Sequence, residues 1–168
     1  MLEQKVGLGG VFSVECIGSD GQVKWKDEGH NLVVNTGLQF LNTQVFKGVT
    51  YTATWYMGLV NTGATYAAAN TMASHAGWTE NVSYVQSARP TMSFGTASTA
   101  DPSVIVSSVV AFTMNATGTI AGAFLSTNNT KSGTSGTLFS AGNFTVGDRP
   151  VVSGDTINVT YTFSADAV

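Results

Sequence analysis

TINVTYTF, residues 156–163, is the most regular stretch of the chain. Thr156, Asn158, Thr160 and Thr162 alternate with Ile157, Val159, Tyr161 and Phe163. Successive side chains of a strand point to opposite faces. This pattern therefore predicts a half-buried antiparallel strand, polar on one side and packed on the other.

The segments on either side extend the same reading. Residues 104–114 and 118–127 are long β-prone runs, and 137–140 and 143–146 are shorter ones. Between them STNNTKSGTSG, residues 126–136, has almost nothing to bury and predicts an exposed loop. Toward the N-terminus, VFSVECI and QVKWKDE flank Gly18, Ser19, Asp20 and Gly21, the signature of a β-hairpin. Residues 31–34 begin another extended run, and Asn35 and Thr36 can cap a short helix over 36–46. Leu38, Leu41 and Val45 share one face of it, with Phe46 beside them and Gly48 as its stop. Residues 51–60 read as a strand with Trp55, Met57 and Leu59 on one face. Residues 71–75 have room for one helical turn, and 82–85 and 91–94 are short strands. The sum, about eight to ten short strands with one helix, predicts an all-β antiparallel sandwich. Residues 10–168 form one domain, preceded by a flexible arm over 1–9 that ends in Gly9 and Gly10.

Charge is sparse and uneven. Only 10% of residues are charged, against about 25% in an ordinary soluble domain. Between residues 48 and 130 the only charges are Glu80, Arg89 and Asp101. No run approaches the roughly 18 apolar residues of a spanning helix. A net charge of −3 offers no electrostatic footprint for nucleic acid. The remaining class is an assembly subunit whose surface other chains cover. The single cysteine, Cys16, excludes an intrachain disulfide and reads as a buried thiol. The N-terminus lacks the pattern of a signal peptide, so synthesis in a cytoplasm is expected. The five Asn-x-Ser/Thr triplets therefore read as chance.

Chemistry finds few partners. His75 and Glu80 are a base and a carboxylate five residues apart, but no GxSxG stretch or activated nucleophile accompanies them. With two histidines and no cysteine pair or HExxH, neither a metal nor a cofactor is expected. Asp20, Asp101, Asp148 and Asp155 fall in separate turns. No catalytic residue is assigned. The candidate interface residues are Tyr66, His75 and Trp78 on the almost uncharged loop 61–80, Tyr84 beyond it, and Val6 and Leu8 in the arm. Aromatic side chains of this kind suit either a partner surface or a sugar platform.

Several segments then carry a resemblance. GVFSVEC (10–16), DGQVKWKDE (20–28), NLVVNTGLQFL (31–41), TATWYMGLV (52–60), ASHAGWTE (73–80) and GDRPVVSGDTINVTYTFS (147–164) resemble a family of small structural proteins of tailed bacteriophages. The resemblance implies a capsid cement or decoration protein with a jelly-roll-like sandwich and no catalytic residues. Its implied partners are the major capsid protein and copies of itself, as a dimer or trimer. Neither nucleic acid nor membrane is contacted directly. Its implied place is the outside of the virion shell, after synthesis in the host bacterial cytoplasm. A tail-fibre or baseplate component with host-glycan contact through Trp78 and Tyr84 is the alternative, and a small hydrolase using His75 and Glu80 a third.

Overall fold

A computed structural model describes residues 5–47 and 54–167. Residues 1–4 of the expected arm, the helix stop at Gly48 and the expected start of a strand at Tyr51 lie outside the described residues. The elements, in order, are β1 (Val6–Ile17), β2 (Val23–His30), β3 (Leu32–Val33), α1 (Asn35–Lys47), β4 (Trp55–Asn61), β5 (Glu80–Asn81) and β6 (Thr91–Met92). There follow β7 (Ser103–Val106), β8 (Val110–Thr113), β9 (Gly118–Ser126), β10 (Leu138–Asn143), β11 (Arg149–Val151) and β12 (Thr156–Ala167). They form two antiparallel sheets packed face to face, the all-β sandwich that the alternating runs predict.

The first sheet runs β2-β1-β12, with β7 and β8 sharing the far side of β12. The second runs β3-β10-β9-β4, with β11 following β10 along β9 and β5 and β6 lying along β4. The alternation in β12 resolves as read. Ile157, Val159 and Tyr161 are fully buried against Phe12, Phe112, Met57, Leu59 and Leu125. Each such side chain contributes about 1.5–3 kcal/mol of burial. Thr156, Asn158, Thr160 and Thr162 keep contact with solvent on the outer face.

Several expectations change; the expected strand 82–85 reduces to one bridge at Tyr84, and 143–146 forms no strand beyond Asn143 at the end of β10. Residues 6–9 are not an arm but the first part of β1, paired with residues 164–167 of β12. Val6 and Leu8 alternate with Gly7 and Gly9, so the period of two reaches past the glycine pair. At Gly10 the missing side chain is required, because a Cβ there would lie 2.3 Å from the Tyr161 hydroxyl. The run 104–114 divides into β7 and β8, with the N–H and hydroxyl of Ser107 bonded to the Tyr161 backbone at the break. Residues 71–75 form no helical turn. Thr71 and Ser74 instead bond across a tight turn. In α1 the buried side centres on Gly37, packed on the Phe139 carbonyl, with Phe40 and Leu41 beside it. Leu38, Val45 and Phe46 stay exposed.

The loop 126–136 is exposed over most of its length, as expected, and it is also tied down. Arg89, itself buried, donates from Nη1 to the Asn128 carbonyl (2.8 Å) and from Nη2 to the Gly133 carbonyl (3.2 Å). The Lys131 ammonium reaches the Tyr84 carbonyl (2.7 Å) and lies 3.7 Å from the centre of the Tyr84 ring. A loop with nothing apolar to bury is thus held through its backbone carbonyls.

Both long flanks of the sandwich are stitched. On one, Arg149 pairs with Asp27 at 2.8 Å and lies over Trp25, whose indole N–H donates to the Pro150 carbonyl. On the other, residues 82–95 bond to β8 and to the residues around it through the Val85 and Gly95 N–H groups. Tyr84 also bridges to Met114.

Candidate functional site

The uncharged loop 61–79 lies over the outer face of the second sheet. That sheet is apolar on both sides: in β9, Ile120, Ala123 and Leu125 face the first sheet, while Ala121 and Phe124 face the loop. An apolar run without alternation signals a strand covered on both faces. The first sheet can cover only one of them, so the loop brings Ala64, Met72 and Trp78 against Val60, Phe124, Leu138 and Ala141.

This places the expected interface residues in three groups. Trp78 is only 4% exposed, 5.0 Å from the Phe124 ring, and its indole N–H donates to Asn70 Oδ1 at 3.2 Å. Tyr84 is 1% exposed and meets Phe112 edge-on at 5.0 Å. Both are core residues, so neither presents a ring to a partner or a sugar. Burial first, and the neighbouring Glu80 carboxylate, push the Tyr84 phenol well above its usual range.

Tyr66 and His75 form the second group, half-buried beside Trp78. The Tyr66 hydroxyl donates to Asn143 Oδ1 at 2.9 Å, and burial raises its phenol too. His75 stacks on Trp78 with centroids 4.0 Å apart, and its Nδ1 bonds the Trp78 carbonyl at 3.0 Å. Both close the lid over the second core.

The candidate acid–base pair does share one cavity of about 210 Å³ with Arg89 and Gly133. Its carboxylate is nevertheless committed. Arg89 Nε reaches Glu80 Oε1 at 2.9 Å, Arg89 Nη2 reaches Oε2 at 2.8 Å, and the Ser132 N–H donates to Oε2 at 2.6 Å. Both partners are almost fully buried. A bidentate pair of this kind orders three segments and leaves the carboxylate committed. Among the described residues no group of three or more His, Cys, Asp or Glu side chains is placed to hold a metal ion. Among them, too, no helix is long and apolar enough to cross a membrane.

Val6 and Leu8 make up the third group, 67% and 37% exposed on β1. Their side chains continue the core-facing side of the first sheet, because Leu8 is the register partner of Ala165 and Val6 of Ala167. Sequence reasoning missed a second feature, a groove of about 620 Å³ on the outer face of the first sheet. Ser13, Glu15, Asn158 and Thr160 form its floor, between exposed Val109 and Val146. A hydrogen bond from Asn158 and the Lys26 ammonium hold the Glu15 carboxyl below its usual value. The polar positions of β12 were legible. The rims that turn this face into a groove come from distant loops and were not.

No protein family, no curated protein and no solved structure matches this chain.

Proposed function

We propose that this chain is a non-enzymatic structural protein of a tailed-bacteriophage virion that binds the outside of the capsid and cements contacts between major capsid subunits. The observation that carries the reading is a set of large apolar side chains left exposed on β1 and at the end of α1. On β1, Val6 and Leu8 extend the core face of the first sheet into solvent. Val45 and Phe46, at the end of α1, are 70% and 82% exposed. Exposed apolar groups that form a contiguous patch mark surfaces that another chain covers. The segment resemblance supports the virion assignment, and the Glu80 carboxylate is engaged by Arg89.

The uncharged stretch supports the reading less directly, since Ala64, Met72 and Trp78 turn inward onto a second core. A shell under internal pressure gains from many modest contacts repeated by symmetry. The test is addition of purified protein to shells that lack it, followed by heat and chelator challenge. Saturable binding with raised shell stability is expected. Shells that neither bind the protein nor gain resistance would refute the reading.

The second reading, a tail-fibre or baseplate component with glycan contact, is favoured by the outer groove with its polar floor. Trp78 and Tyr84 are closed to a ligand, so glycan contact would use Ser13, Glu15, Asn158 and Thr160. Binding of the folded chain to a glycan array, lost in Asn158→Ala, would support it. A blank array would remove it.

A further inference from the structure

The backbone of β1 has one open edge. From Val11 onward β1 is paired on both sides, by β12 and by β2. Residues 6–9 pair only with β12, since β2 ends opposite Val11. The direction of the open groups follows from one bond: Asn31 N–H donates to the Gly10 carbonyl at 2.9 Å, on the β2 side. N–H and C=O groups alternate sides along a strand. Those of Val6 and Leu8 therefore point the same way as those of Gly10, outward, and bond to nothing among the described residues.

We propose that this edge pairs with the same edge of a second copy, antiparallel about a two-fold axis through Gly7. In that register Val6 lies opposite Leu8 of the other copy, and Leu8 opposite its Val6. Both are positions with outward backbone groups, so the pair closes four N–H···O bonds. A register centred on Leu8 would instead require Gly10, whose carbonyl Asn31 already occupies. The side chains agree with the backbone. Val6 and Leu8 of both copies meet on the apolar face carrying Ala165 and Ala167, and Gly7 meets Gly7 on the other. Residues 6–14 carry no charge, and none is the Lys or Pro that usually blunts an open edge.

Asp166, opposite Gly7 on β12, and Lys5 are the nearest charges, and this register sets Lys5 opposite Gly9 of the other copy. The two Lys5 residues then lie four residues apart along the strands, about 13 Å at ~3.3 Å per residue. That exceeds the Debye length of about 8 Å at physiological ionic strength. The edge is short and is consumed by one pairing, so the contact closes as a dimer and does not propagate. The dyad rests on the strand ladder and not on the virion reading.

Two variants with the isolated chain test it. Gly7 and its copy would form a non-hydrogen-bonded pair with Cα atoms about 4.5 Å apart, within disulfide reach. Gly7→Cys should therefore cross-link to a dimer under mild oxidation, while Gly9→Cys stays monomeric and buried Cys16 stays silent. Val6→Pro removes an outward N–H and leaves the β12 ladder intact. It should abolish the concentration-dependent dimer of the unmodified chain in sedimentation velocity, with the thermal midpoint unchanged. A chain that stays monomeric at all concentrations, or equal cross-linking of Gly7→Cys and Gly9→Cys, would overturn the dyad. Capsid binding would be left to its own test.

Discussion

Replacing Arg89 by Met tests the framework that holds the loops around the second sheet. The guanidinium makes two bonds to Glu80 and one each to the Asn128 and Gly133 carbonyls. It also packs 5.0 Å from the centre of the Phe124 ring. Met keeps much of the apolar volume, so the loss is mainly that of the charge partner. Glu80 would be left buried with one remaining donor, the Ser132 N–H. Removing one member of a buried pair costs about 3–5 kcal/mol, because the other charge stays behind without compensation. In a domain of this size that lowers the thermal midpoint on the order of 10 °C. Urea unfolding at neutral pH reads the loss directly, and amide exchange at residues 128–133 should speed up with it. Adding Glu80→Leu to Arg89→Met should recover most of the stability, since an apolar pair of similar volume is often neutral. If Arg89→Met costs under about 1 kcal/mol, the pair is screened by water and the clamp is not what holds the loop.

Trp78→Ala should cost about 3–5 kcal/mol of stability, as for a large core truncation, in urea unfolding. A small stability loss with weakened particle binding would instead make Trp78 an interface residue. Burial first, and then the Asp155 carboxylate, push the Cys16 thiol up from 9.0 to about 12. A thiol raised in the folded state favours folding below the unfolded value. Stability should therefore fall as pH rises from about 9 toward 12, and Cys16 should resist alkylation at pH 8 until the chain unfolds. Rapid labelling of native protein would contradict the burial. For Asp155, burial would raise the carboxyl, but bonds from Lys24, the Val152 N–H and Cys16 outweigh it and hold the group below its ordinary value. A lowered carboxyl contributes stability above its unfolded value of about 3.9. That contribution is lost as pH falls through the folded value. The stability gap between the natural chain and Asp155→Asn should accordingly shrink below about pH 4, and a constant gap would refute the ion pair with Lys24.

Local pattern carried the sandwich and failed where distant segments decide. The alternation of 156–163, the Asp20-Gly21 turn and the helix beginning at Asn35 are each complete within a few residues, and each is found as read. The interface assignment rested on the absence of charge in 61–79. That absence has two physical sources, a covered surface or a second core, and one segment alone cannot separate them. The deciding signal lay elsewhere, in β9, where Ile120, Ala121, Ala123, Phe124 and Leu125 leave no polar face. The exposure of residues 126–136 was legible, but their anchoring was not. Polar side chains predict an exposed loop, but Arg89 holds this one through main-chain carbonyls, which any sequence provides. The open edge at Val6 and Leu8 was visible only as two apolar residues beside glycines. Which backbone groups are free depends on where β2 ends.

Attachment to the outside of the capsid is tested most directly by a cryo-EM map of the particle. Density for this sandwich bridging neighbouring capsid subunits on the head exterior is the predicted result. Density on the tail, or a head exterior without it, would contradict the account.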